Sequence, residues 1–119
     1  VARWLKDLTG MPPGQFLTVM RLLYARQMLE KQLRERAADP RREINPEAVA
    51  NNVDWTYSTF RKKFSFHFDV SILEFEAMYQ AKTQLDRGTA AEEIARTMGY
   101  DNVEAFTDVF QKVFPDWPA

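Results

Sequence analysis

Apolar residues recur at three- and four-residue steps along almost the whole chain and β-branched runs are absent, so the pattern predicts helices throughout. The expected fold class is all-α. A first short helix is expected over residues 1–8, stopped near Gly10. Pro12 and Pro13 then open a second helix from about Gly14 to about Ala38, since proline is tolerated in a first turn and resets the chain direction. In its first four turns Phe16, Leu17, Val19, Met20, Leu22, Leu23, Tyr24, Ala25, Met28 and Leu29 leave almost no polar face. Such a helix is expected to be covered on more than one side. Its far end, residues 31–42, is charged and expected to protrude or fray.

Start signals divide the rest. Asn45 before Pro46 reads as an N-cap followed by proline at the first helical position. Thr56 caps a helix from Tyr57 to about Phe66 that turns Phe60 and Phe64 inward and Arg61, Lys62 and Lys63 outward. Ser71 with Glu74, Thr89 with Glu92 and Asp101 with Glu104 each have the spacing of a capping box, and Gly88 ends the helix that Ser71 begins. Phe60, Phe64, Phe66, Phe68, Phe75, Phe106, Phe110 and Phe114 fall at helical spacing and are expected in the core rather than on a base-stacking platform.

Composition narrows the function classes. With 119 residues, 45% of them hydrophobic, the chain can bury a core as one compact domain or as small subdomains sharing a helix. It has no cysteine, hence no disulfide, thiolate nucleophile or cysteine-bound zinc, which suits a reducing cytosol. No apolar run approaches the length of a membrane span, so no membrane partner is expected. There is no Gly-rich phosphate loop, activated nucleophile or acid/base carboxylate pair, and the one histidine, His67, stands among phenylalanines. The expectation is therefore no enzyme, no catalytic residue, no metal and no cofactor. Beginning at Val1 inside a helical pattern, without an initiator Met, the sequence reads as a piece of something longer.

Charge is uneven although the net charge is only −1. Residues 1–43 carry nine Lys/Arg against five Asp/Glu, residues 44–88 five against six, and residues 89–119 two against six. The basic end can lie on phosphate or on an acidic partner, whereas the acidic end is repelled by a DNA backbone.

These three segments also share a frame. Ala50 to Asp54 matches Ala95 to Gly99 at an offset of 45, and Phe64 matches Phe110 at 46. Leu5, Gly10 and Phe16 stand 59 residues before Phe64, Asp69 and Phe75. The chain reads as a truncated helix-turn-helix unit with a long linker helix (1–43), a middle unit with a shortened linker helix (44–88), and a C-terminal unit (89–119).

On these residues a family resemblance becomes specific. VARWLKDLTGMPPGQFLTVMRLLYARQMLE (residues 1–30) resembles the end of a recognition helix, turn and linker helix of AraC/XylS-type transcription regulators. IARTMGYDNVEAFTDVFQKVF (residues 94–114), with Pro118 beyond it, is similar to that family's second helix-turn-helix. The resemblance implies tandem homeodomain-like units in a bacterial, cytoplasmic, nucleoid-associated regulator that reads double-stranded DNA through successive major grooves. The chain departs from the pattern where Asp54, Asp69 and Pro115 replace turn glycines, in the shortened helix after Phe75, and in an insertion around residues 34–42.

The resemblance places Tyr57, Ser58, Thr59, Arg61 and Lys62 at a DNA groove with Lys63 nearby, and offers Arg3 and Lys6 at matching positions of the first unit. Taken without the repeat, the same charges read as a solvated basic face, and Arg3, Lys6, Arg21 and Arg26 read equally as partners for the acidic third unit. In that unit Asn102, Thr107 and Gln111 are candidate base readers, but Glu104 and Asp108 share their helix and no Arg or Lys precedes Lys112 on it. The alternative is a helix-turn-helix scaffold that binds another protein or a second copy of itself through this acidic unit.

Overall fold

The computed structural model describes residues 13–116 as six helices, with no strand among the described residues. They are α1 (Pro13–Ala38), α2 (Pro46–Asn52), α3 (Tyr57–Phe68), α4 (Ile72–Asp86), α5 (Ala91–Thr97) and α6 (Val103–Val113). The helix expected over residues 1–8, the Gly10 turn and Pro118 lie outside the described residues.

Most helix starts follow the side chains that cap them. Asn45 accepts the Ala48 N–H at 3.0 Å and Thr56 accepts the Thr59 N–H at 3.2 Å. At α4 the capping box is complete: Ser71 accepts the Glu74 N–H at 3.0 Å and the Glu74 carboxylate accepts the Ser71 N–H at 2.8 Å. Two expected boxes do not form. The Thr89 N–H bonds back to the Gln84 carbonyl at 3.0 Å, which ties Thr89 to the end of α4, and Ala90 takes the N-cap position of α5 without a side-chain bond. Glu92 and Glu93 occupy the first turn of α5 instead, where their charge meets the positive end of the helix. At α6 the cap is Asn102 rather than Asp101, its side-chain oxygen accepting the Ala105 N–H at 2.8 Å.

The charged end of α1 does not fray. Leu33 is buried there, the Gln32 side chain accepts the Asn45 N–H at 2.8 Å, and Arg42 pairs with Glu35 at 3.1 Å. Nor is α1 covered on two sides by described residues. Val19, Leu22, Ala25, Leu29 and Leu33 form its inner face, while Phe16, Leu17, Met20 and Tyr24 on the opposite face are exposed.

Packing follows two triplets. α1, α2 and α3 pack on one another, as do α4, α5 and α6, and α4 also packs on α1 and α3. One apolar cluster joins all six helices. Through it runs a chain of aromatic rings: Phe64 lies 5.2 Å from Phe75, Phe75 5.2 Å from Tyr79, Tyr79 4.9 Å from Phe114, and Phe114 4.9 Å from Phe110. Phe75 and Tyr79, both on α4, are thus the joint between the triplets. Arg26 of α1 reinforces it, lying 4.8 Å from the Phe68 ring and 5.0 Å from the Phe75 ring while its guanidinium holds Glu30 at 3.2 Å. Glu30 in turn accepts the Tyr79 hydroxyl at 2.7 Å, and burial together with that bond holds the phenol well above its ordinary pKa.

The sequence repeat has a backbone counterpart. After α2 the Trp55 N–H bonds to Ala50 O at 3.0 Å, and after α5 the Tyr100 N–H bonds to Ala95 O at 2.9 Å. Asp54 (φ 62°) stands where Gly99 (φ 88°) stands in the second copy, so an aspartate takes the left-handed position that glycine fills at no steric cost. Asp69 (φ 59°) does the same after α3, with its carboxylate 3.1 Å from Lys112. The Asp54→Gly variant is expected to be more stable by up to about 1 kcal/mol, a rise of several degrees in thermal midpoint. A fall in midpoint on calorimetry would show that Asp54 fits its turn without strain.

Candidate nucleic-acid interface

α3 owes its position to three phenylalanines at four-residue steps. Phe60, Phe64 and Phe68 turn to the core, so the opposite face is free to carry polar groups. Ser58, Arg61 and Lys62 are exposed on the outer side, and Tyr57, Thr59 and Lys63 are partly buried at its margins. Neither Arg61 nor Lys62 belongs to any ion pair among the described residues, all of which are formed by other side chains. They are the two cations of α3 that remain uncommitted. Lys63 stands apart from them, its ammonium 5.6 Å from the centre of the Trp55 ring. Thr59 belongs to the cap, its hydroxyl 3.0 Å from that of Thr56, and Tyr57 packs against the core.

Phe66 corrects the expectation that the phenylalanines are all core. It is 84% exposed. Two residues beyond Phe64, it lies about 200° round the helix from the inner face, and falls in line with Ser58 and Lys62 at four-residue steps. Among the described residues its ring neighbour is His67, at 5.3 Å.

Burial first, and the Lys63 ammonium second, hold His67 below the ordinary imidazole pKa of 6.5. The native state therefore binds this proton less readily than the unfolded chain. The resulting stability is present above pH 6.5 and is lost as the pH falls toward the lowered native value. The His67→Gln variant is expected to flatten this part of the profile of urea midpoint against pH between 7 and 5; an unchanged slope would remove His67 as its source.

The other candidate positions fare differently. Arg3 and Lys6 lie outside the described residues. Arg26 is held inward by Glu30 and two rings, which commits it neither to phosphate nor to the acidic third segment. Among the described residues no ion pair joins the basic N-terminal segment to residues 89–116; the acidic segment is bridged instead through Lys112 to Asp69, at the end of α3. On α6, the Asn102 side-chain oxygen is taken by the cap and the Thr107 hydroxyl donates to Val103 O at 2.8 Å. Gln111 is exposed, as are Glu104 and Asp108. The outer side of α6 therefore offers carboxylates where that of α3 offers cations.

Among the described residues no helix is long and apolar enough to cross a membrane. No protein-family model, curated protein or solved structure gives a significant match to the chain.

Proposed function

We propose that the chain is a tandem helix-turn-helix module of the AraC/XylS type that binds double-stranded DNA in a bacterial transcription regulator, with α3 as its principal reading helix. The observation that carries the reading is the repeated turn. α2 and α5 are each followed by the same backbone hydrogen bond and by a left-handed residue at the same position, Asp54 and Gly99, then by a capped longer helix with buried phenylalanines at matching places, Phe60 and Phe64 against Phe106 and Phe110. In such a unit the longer helix enters the major groove and its exposed N-terminal turns meet the base edges. On α3 those turns carry Ser58, Arg61 and Lys62, and a guanidinium or ammonium there suits guanine O6 and N7.

α6 takes a supporting part in this reading. Glu104 and Asp108 would meet phosphate repulsion in a groove, and the Asn102 and Thr107 oxygens are already engaged in the helix. Fluorescence anisotropy of a labelled duplex with the full chain at low salt tests the proposal; absence of affinity contradicts it. A second reading, a scaffold that binds protein, is favoured by the exposed Phe16, Leu17, Met20 and Tyr24 on α1. Sedimentation velocity separates the two, since self-association without duplex affinity supports only the second.

A further inference from the structure

We propose that Phe66 is a specificity-determining residue that reads the 5-methyl group of a thymine. The inference rests on the assignment of α3 as the reading helix. Ser58, Lys62 and Phe66 form one outward ridge at four-residue steps, and Phe66 is 84% exposed, the highest value among the exposed large hydrophobic side chains of the described residues. Its ring is not needed by the core, which Phe60, Phe64 and Phe68 fill from the other side of the helix.

The chemistry narrows what such a side chain can recognise on a duplex. A phenyl ring gains nothing beside a phosphate and has no donor or acceptor for a base edge. The apolar feature that the major groove displays is the thymine methyl, and phenylalanine is among the side chains that contact it. Geometry allows the contact together with that of Lys62. From Lys62 to Phe66 is four residues, about 6 Å along the helix axis, which spans about two base steps of roughly 3.4 Å each. A helix lying along the groove thus places a cation and an apolar ring over different base pairs of one site. The predicted site has a guanine facing the Arg61 and Lys62 end and a thymine displaced from it by about two base pairs toward the C-terminal end of α3.

The test begins by selecting duplexes from a randomised library with the full chain, then replacing each thymine of a selected duplex in turn by deoxyuridine, which lacks only the methyl group. Wild type is expected to lose about fourfold in affinity at one position, the effect of one methyl group taken from water. The Phe66→Ala variant is expected to bind thymine and deoxyuridine at that position equally, with its circular dichroism spectrum unchanged because the side chain is exposed. If wild type binds the selected duplex and is indifferent to every replacement, or if Phe66→Ala keeps the same preference, the inference is overturned while the DNA-binding reading stands. If no duplex is enriched over the starting library, both fall together.

Discussion

The Phe64→Ala variant is expected to lose about 3–5 kcal/mol of stability. Phe64 is fully buried, and its ring lies 5.8 Å from Phe60, 4.7 Å from Phe68 and 5.2 Å from Phe75. Removing it takes away apolar burial and leaves a cavity between α3 and α4, at the start of the ring chain that joins the two triplets. Collapse into that cavity is restricted, because Phe75 is itself held by Arg26 and Tyr79. A domain of this kind has about 5–15 kcal/mol in all, so the variant is expected to lie near the edge of folding. Urea unfolding followed by circular dichroism measures the change as a lower midpoint at similar slope. A loss below about 1 kcal/mol would show that the aromatic chain is not what joins the triplets.

Replacing Arg61 and Lys62 together by glutamine is expected to weaken duplex binding by about tenfold to a hundredfold. Both side chains are exposed and neither holds a described partner, so the double variant should fold as wild type does. That separates loss of binding from loss of structure. Two contacts removed from phosphate or guanine also reduce the salt dependence: the slope of log affinity against log salt should become shallower by about 2 if both cations displace counterions. Neutralising Glu104 and Asp108 on α6 is expected to leave that slope unchanged, because those carboxylates release no counterion from DNA. Equal affinity of wild type and the double variant would move the reading helix elsewhere.

How much was legible in the sequence depended on how locally each feature is determined. The caps at Asn45, Thr56 and Ser71 could be read because a side chain and an N–H three residues on decide them. Thr89 and Asp101 had the same local pattern, yet the competing turn bond from Thr89 to Gln84 and the register of the turn before α6 set the start one residue later in each case. The left-handed positions at Asp54 and Asp69 were marked by their alignment with a glycine in another copy.

The candidate site was legible in its residue types and less so in its faces. Counting phenylalanines by spacing put Phe66 with Phe64 and Phe68, and only the helical phase, fixed by Phe60, Phe64 and Phe68 together, separates it from them. That phase was available in the sequence as a strict four-residue step. The roles of Lys63 and Arg26 were not, because both depend on rings that come close only on folding: Trp55 beneath Lys63, and Phe68 and Phe75 beneath Arg26. The burial of Leu33 was hidden for a similar reason, since α1 is charged around it and is held there by a hydrogen bond to Gln32 from Asn45, thirteen residues further along the chain.

The central claim is that α3 binds duplex DNA through its uncommitted cations. Paired salt titrations of the full chain and the Arg61→Gln, Lys62→Gln double variant, read by anisotropy of one labelled duplex, test it most directly. Wild-type affinity is expected to fall steeply and linearly in log salt, and the double variant to be weaker at every salt concentration with a shallower slope. No wild-type affinity at low salt, or two superimposable titrations, contradicts it.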